Sequence, residues 1–204
     1  AIILAAGKGT RMKSDLPKVV FPVGGRPMVC AVVDACLAAG VSRIVVVVGH
    51  KQELVRDALR EYRVEYAVQD QQLGTGHAVL CARSLFEADL AARISRECFV
   101  LCGDGPLIRS ATLHRVLERH RTHRAAATLA TSMVEDPAGY GRIVRDAQGR
   151  FERIVEQKNA SPEQLKIREI NPSYYCFDLV QLFAGLARVT RNPTSSTVPF
   201  TSPV

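Results

Sequence analysis

Short apolar runs alternate with longer amphipathic segments through the first 120 residues, the pattern of a parallel sheet flanked by helices. Residues 1–4, 44–48, 64–68 and 99–102 read as strands, and the unbroken apolar run at 44–48 implies a strand buried on both faces. Between them, residues 28–39, 53–62, 76–85 and 111–120 carry apolar side chains at helical spacing. In the first of these helices Met28, Val29, Val32, Val33, Cys36 and Leu37 form the inward stripe, and Gly40 is the stop. In the last, Leu113, Val116 and Leu117 point inward. Residues 86–97 show no clear period.

The grammar then changes. Residues 126–133, 141–144 and 150–155 are strand-like runs joined by turn chemistry such as Asp146-Ala147-Gln148-Gly149, which implies an antiparallel annex. Residues 170–177 are placed to return to the main sheet before a helix at 179–189. The final stretch, RNPTSSTVPFTSPV, predicts a loose tail. The expected organisation is one α/β domain over residues 1–190, with a first half at 1–125, an annex at 126–178 and an irregular tail at 191–204.

Composition narrows this picture without redirecting it. The 204 residues, 47% hydrophobic and 23% charged, suit one globular domain. No apolar run approaches the roughly 18 residues of a membrane-spanning helix, so no membrane partner is expected. The first residues lack a basic leader and read as a strand, and the missing initiator Met suggests a trimmed or incomplete start. Six cysteines at irregular intervals, none in a CxxC pair, read as reduced core thiols and imply a cytoplasmic setting. A net charge of +7 favours anionic partners.

Candidate chemistry concentrates at the end of the first strand, in LAAGKGTRMKSDLPK over residues 4–18. Ligands of open parallel sheets lie beyond the carboxyl ends of strands, and Gly7 and Gly9 let backbone amides approach a phosphate. Lys8, Arg11, Lys13 and Lys18 add four cations in the same loop, a combination suited to a triphosphate. Neither the Walker spacing nor the dinucleotide GxGxxG spacing is present. Asp104 follows the buried strand at 99–102, where a carboxylate either caps the next turn or holds a divalent ion beside phosphates.

The stretch LAAGKGTRMKSDLPKV resembles the signature of nucleotidyltransferases that activate sugar 1-phosphates, and most of all the N-acetylglucosamine-1-phosphate uridyltransferases. Four more segments match that family in order: QDQQLGTGHAV at 69–79, LCGDGPLI at 101–108, DPAGYGRIVR at 136–145, and IVEQKNASPEQ followed by EIN at 154–171. The resemblance implies a Rossmann-like nucleotidyltransferase sandwich with a nucleotide-binding half and an antiparallel sugar-binding annex. It also implies transfer from UTP to N-acetylglucosamine 1-phosphate, with pyrophosphate released. By the same resemblance Leu4, Ala5, Ala6, Gly7, Lys18, Gln69, Gly74, Thr75 and Gly103 bind the nucleotide, and Arg11 and Lys18 act on the phosphates. Asp104 holds Mg2+, and Gly141, Glu156 and Asn171 bind the sugar.

Plainer readings stand beside some of these. Gly74 and Gly76 also fit a turn and a helix start with Thr75 as N-cap, and His77 reads as a packed helix histidine. The family has a larger residue where Gly105 stands, and Thr-Gly where Pro172 and Ser173 stand. It continues through a tyrosine-rich segment to a second metal-ligand Asn and, often, to an acetylating β-helix. Residues 191–204 resemble neither, so a truncated, non-catalytic nucleotide-binding remnant is one alternative, and a relative acting on another sugar phosphate is a second. Without the β-helix a monomer is expected. Arg115 to Arg124, with His114, His120 and His123, has no interleaved aromatic residue and reads as the wet face of a helix, so a nucleic-acid partner is not expected.

These assignments make Arg11→Ala a sharp test. Pyrophosphate release should fall while thermal stability stays near that of the parent chain. A normal rate of UDP-sugar formation contradicts the role given to Arg11.

Overall fold

The computed structural model of the chain describes residues 1–188 apart from 8, 10, 11, 13 and 95; Arg11 and the expected tail at 191–204 lie outside the described residues. In chain order the strands are β1 (Ile2–Leu4), β2 (Pro22–Val23), β3 (Arg26–Pro27), β4 (Val45–Val48), β5 (Glu65–Val68) and β6 (Glu97–Cys102), then β7 (Ala127–Leu129), β8 (Ser132–Met133), β9 (Gly141–Arg145), β10 (Phe151–Val155), β11 (Glu169–Asn171) and β12 (Tyr174–Asp178). The helices are α1 (Met28–Ala38), α2 (Gln52–Ala58), α3 (Thr75–Cys81), α4 (Glu87–Ala91), α5 (Ser110–Thr122), α6 (Pro162–Leu165) and α7 (Leu179–Arg188). Two compact units result: Ala1–Thr128 with the described residues from Tyr175 onward, and Leu129–Tyr174.

The first unit holds a six-stranded sheet in the order β5-β4-β1-β6-β12-β7. Its centre is parallel: Ile2 aligns with Val45 on one side and Val100 on the other, and Val45 aligns with Glu65 beyond. The four valines of β4 are fully buried, as a strand covered on both faces requires. Mostly parallel strands flanked by helices make this a Rossmann-like α/β fold. The second unit is a four-stranded sheet in the order β10-β9-β11-β8, in which every pairing is antiparallel.

Helix α1 buries Met28, Val29, Val32, Val33 and Cys36 as its spacing predicts, but Leu37 is half exposed, one step off the stripe. Gly40, at φ +77°, ends the helix: its N–H donates to the Leu37 carbonyl while the Val41 N–H reaches the Cys36 carbonyl. Gly24 and Gly25, both at positive φ, close the two-residue turn of the β2–β3 hairpin.

Several boundaries differ from expectation for local reasons. The helix expected over 76–85 stops at Cys81, and a 3-10 turn, Arg83–Phe86, leads into α4. The runs at 126–133 and 170–177 each divide between the two sheets. In the second run Pro172 has no N–H for a ladder, and Ser173 sits at φ +64° with its N–H donated to Asn171 Oδ1 at 3.0 Å. The chain therefore leaves β11 and restarts as β12, and the annex spans Leu129–Tyr174 rather than 126–178.

All six thiols are free. Cys30, Cys36, Cys98 and Cys176 are buried, and burial pushes Cys36 up to about 11 and Cys176 up to about 12. Cys81 and Cys102 are partly exposed, so the expectation of six core thiols holds for four. On α5, Arg115, Glu118, Arg119 and Thr122 are exposed while His120 is buried, its Nδ1 3.0 Å from Thr128 Oγ1. Burial lowers the His120 pKa, which removes it from the basic surface. Among the described residues no helix is long and apolar enough to cross a membrane.

Gly49 follows β4 at a point where backbone meets backbone. A methyl group built there would lie 2.9 Å from the Gln69 carbonyl oxygen and 3.0 Å from Ala6 Cβ. Gly49→Ala should cost about 1–3 kcal/mol of stability, read as a lower urea midpoint with an unchanged slope. An unaltered midpoint contradicts this packing.

Candidate active site

The carboxyl ends of β1 and β6 open into a cleft of about 620 Å³, where Leu4 and Cys102 form part of the wall. Parallel pairing aligns Leu4 with Cys102, so the loops that follow the two strands emerge side by side. The loop after β1 runs through Ala5, Ala6 and Gly7, and a methyl built on Gly7 meets no described atom within 4 Å. Gly9, at φ +62°, turns the chain back: the Met12 N–H donates to its carbonyl at 2.8 Å. A Cβ on Gly9 would lie 2.8 Å from Lys18 Cβ, so this position needs glycine for both its backbone angle and its neighbour.

Lys18 opens the 3-10 turn Lys18–Val20 behind Pro17. Its Nζ lies 2.7 Å from Asp104 Oδ2, and the two side chains keep 44% and 32% of their surface in solvent. The carboxylate stands just past β6, where Gly103 donates its N–H to the Leu4 carbonyl at 2.9 Å. A Cβ at Gly103 would press to 3.0 Å from that same oxygen. The close approach of these two strand ends carries the charge pair.

The opposite wall comes from the turn between β5 and α3. Gln69 is 5% exposed, and its Nε2 donates to the Gly74 carbonyl at 3.1 Å and lies 3.0 Å from His77 Nδ1. Gly74 sits at φ +98°, ψ 178°, backbone that is essentially reserved for glycine, and it is the N-cap of α3. Thr75 is therefore the first helical residue and makes no side-chain cap bond, a correction to its reading as N-cap. Gln72 donates from Nε2 to the Ala6 carbonyl at 2.7 Å and ties this turn to the first loop.

Of the expected nucleotide residues, Leu4, Ala6, Gly7, Lys18, Gln69, Gly74 and Thr75 line the cleft together with Asp104. Ala5 and Gly103 are buried behind it and shape it. Met12, Gln72 and Ala78 also line it and were not anticipated. Gln72 had no local signal, since its partner is 66 residues away.

In the second unit Gly141, Glu156 and Asn171 converge. Gly141 is the register partner of Asn171, and a Cβ on Gly141 would lie 3.4 Å from Glu156 Oε1. The missing side chain leaves a place for the exposed carboxylate of Glu156 beside the buried Asn171. Below them Arg142 is buried, bonded to the Tyr140 carbonyl and to Gln157 Oε1.

Among the described residues no group of three or more His, Cys, Asp or Glu could hold a metal ion on its own. Asp104 is the carboxylate in the cleft wall, and a divalent ion held by so few protein oxygens would complete its shell with substrate phosphates and water. A second cavity of about 570 Å³ lies at the other end of β6, around Glu97, and is lined by Arg93, His120, Arg121 and Arg124. There Arg121 is already paired with Glu97 at 2.6 Å.

The model of the MobA-like NTP transferase domain matches residues 1–165. The bifunctional protein GlmU of Heliobacterium modesticaldum is 48% identical over 190 residues, covering 93% of this chain and 40% of that protein. The protein of the same name from Bacillus cereus is 47% identical over 192 residues, with 94% and 40% covered. That from Pelobacter propionicus is 50% identical over 187 residues, with 91% and 40% covered. The chain thus spans about two fifths of the length of the curated relatives it matches. With a family model matched over most of its length and a cleft built from the motif residues, the chain belongs to the MobA-like NTP transferase domain family.

Proposed function

We propose that this chain transfers the uridylyl group of UTP to N-acetylglucosamine 1-phosphate, giving UDP-N-acetylglucosamine and pyrophosphate. The observation that carries the reading is the Lys18–Asp104 pair, 2.7 Å apart at the rim of a cleft whose floor is glycine-rich backbone. A cation beside a metal-binding carboxylate is what a nucleoside triphosphate and its divalent ion require.

In this reaction a phosphate oxygen of the sugar phosphate bonds to the α-phosphorus of UTP. The bond from that phosphorus to the bridging oxygen breaks, and pyrophosphate leaves with the bridging oxygen. The attacking oxygen is already ionised, so neither a protein nucleophile nor a general base is needed. The chain's work is to align the two phosphates and offset their charge. Lys18 would contact the phosphates, the amides around Gly7 would approach them from below, and Arg11 would act on the pyrophosphate. Asp104 would hold Mg2+, which when bound supplies positive charge against the triphosphate.

Gln69, Gly74 and Thr75 would face the base, and Gly141, Glu156 and Asn171 the sugar. The carboxylate and amide of that trio suit hydroxyl and N-acetyl groups. Resemblance of the ordered motifs and near-half identity to bifunctional GlmU proteins support this substrate choice. A cytoplasmic setting with reduced thiols is part of the same proposal.

Two substitutions test it. Asp104→Asn should lower pyrophosphate release at least a hundredfold. The partly solvated pair it breaks is worth little to folding, so the melting temperature should scarcely move. Activity within a few fold of the parent chain contradicts the metal role. Gly7→Ala should leave stability unchanged, since the added methyl has open space, yet weaken UTP binding measured by calorimetry because that space is the cleft. Equal UTP affinity in the two proteins contradicts the phosphate floor.

A further inference from the structure

His77 takes no part in the chemistry above, yet it touches the residue proposed to face the base. Its Nδ1 lies 3.0 Å from Gln69 Nε2, and the same amide nitrogen is 3.1 Å from the Gly74 carbonyl oxygen. A carbonyl oxygen can only accept, so the Gln69 atom against Gly74 must be the NH2 end. That NH2 spends one hydrogen on Gly74 and offers the other to His77. Nδ1 must then accept, which makes His77 the neutral tautomer with its proton on Nε2. Both amide hydrogens are committed inside the wall, and Oε1 is the group of Gln69 left to meet a ligand.

We propose that His77 is a positioning residue for base selection: by accepting from the Gln69 amide it locks Oε1 as the acceptor presented to the nucleobase. This rests on the proposed use of UTP. Uracil carries a hydrogen on N3, which an acceptor can receive. Cytosine has a lone pair at N3, so the same Oε1 would meet a second acceptor and reject it. Without His77 nothing in this wall prevents the amide from turning over, apart from the single bond to Gly74. A flipped amide would offer its NH2 and favour cytosine.

The lock explains why a partly exposed histidine sits in the first turns of α3. It also accounts for the burial of Gln69, which at 5% exposure has to satisfy both hydrogens within the protein. Thymine shares the N3 hydrogen of uracil, so the device separates uracil from cytosine and does not separate uracil from thymine.

The experiment compares UTP and CTP binding by calorimetry with Mg2+ for the parent chain, His77→Asn and His77→Leu. Asparagine can place an acceptor near the Nδ1 position, whereas leucine cannot. The parent chain should prefer UTP. His77→Leu should lose about tenfold of that preference, the scale of one hydrogen bond, and His77→Asn should regain most of it. Ring 15N shifts of His77 in the parent chain should report the Nε2–H tautomer, a readout that survives even if a variant fails to fold.

Parallel loss of UTP and CTP affinity in both variants, an unchanged ratio in His77→Leu, or an Nδ1–H tautomer overturns the proposal. A parent chain without preference for UTP overturns it too. A parent chain that prefers UTP yet releases no pyrophosphate overturns the transferase reading alone and leaves the role of His77 standing.

Discussion

An ammonium from the loop after β1 and a carboxylate from the end of β6 meet at 2.7 Å, and the rest of the cleft is arranged around that meeting. The pair does not exist to hold the fold together. Both partners are substantially solvated, and ion pairs of that kind contribute at most about 1 kcal/mol. What fixes them is the buried register of β1 against β6, set by apolar residues that have nothing to do with chemistry. A pair that is cheap to open suits a site in which a polyphosphate draws the cation and a divalent ion draws the carboxylate.

The same economy governs the cleft's other parts. Its walls are formed or backed by backbone brought close: Gly9 against Lys18 in the lining, and behind it Gly49 against Gln69 and Ala6, and Gly103 against Leu4. Each is a place where even a methyl group collides with a neighbour. Polar side chains then fasten the backbone, Gln72 tying one loop to the next through Ala6 and Gln69 closing its own turn on Gly74. Close backbone packing and side-chain bonds thus shape the cleft, and the Lys18–Asp104 pair keeps part of its surface in solvent.

Much of this was legible in the chain. The valine run of β4, the stripe of α1 and the glycine stop at Gly40 follow from periodicity and left-handed backbone alone. The motif glycines and Asp104 were marked by their position at strand ends. Ser161 and Gln164, which form a reciprocal capping box on α6, carry a local signal of that helix start. Elsewhere the information was not local. Apolar runs that divide between two sheets look continuous until a proline and a left-handed serine break them, as at Pro172 and Ser173. Gln72 and His77 owe their roles to partners fixed by tertiary structure or by a hydrogen-bond chain, and Leu37 is exposed because the stripe of α1 is narrower than its apolar sequence.

The most direct measurement is a crystal structure of the chain grown with UTP and Mn2+, the metal located by its anomalous signal. The account predicts phosphate oxygens on Lys18 Nζ, the metal on the Asp104 carboxylate, and the Lys18–Asp104 pair separated by the ligand between them. A triphosphate bound elsewhere, for example among Arg93, Arg121 and Arg124 at the other end of β6, with the Lys18–Asp104 pair intact, would contradict it.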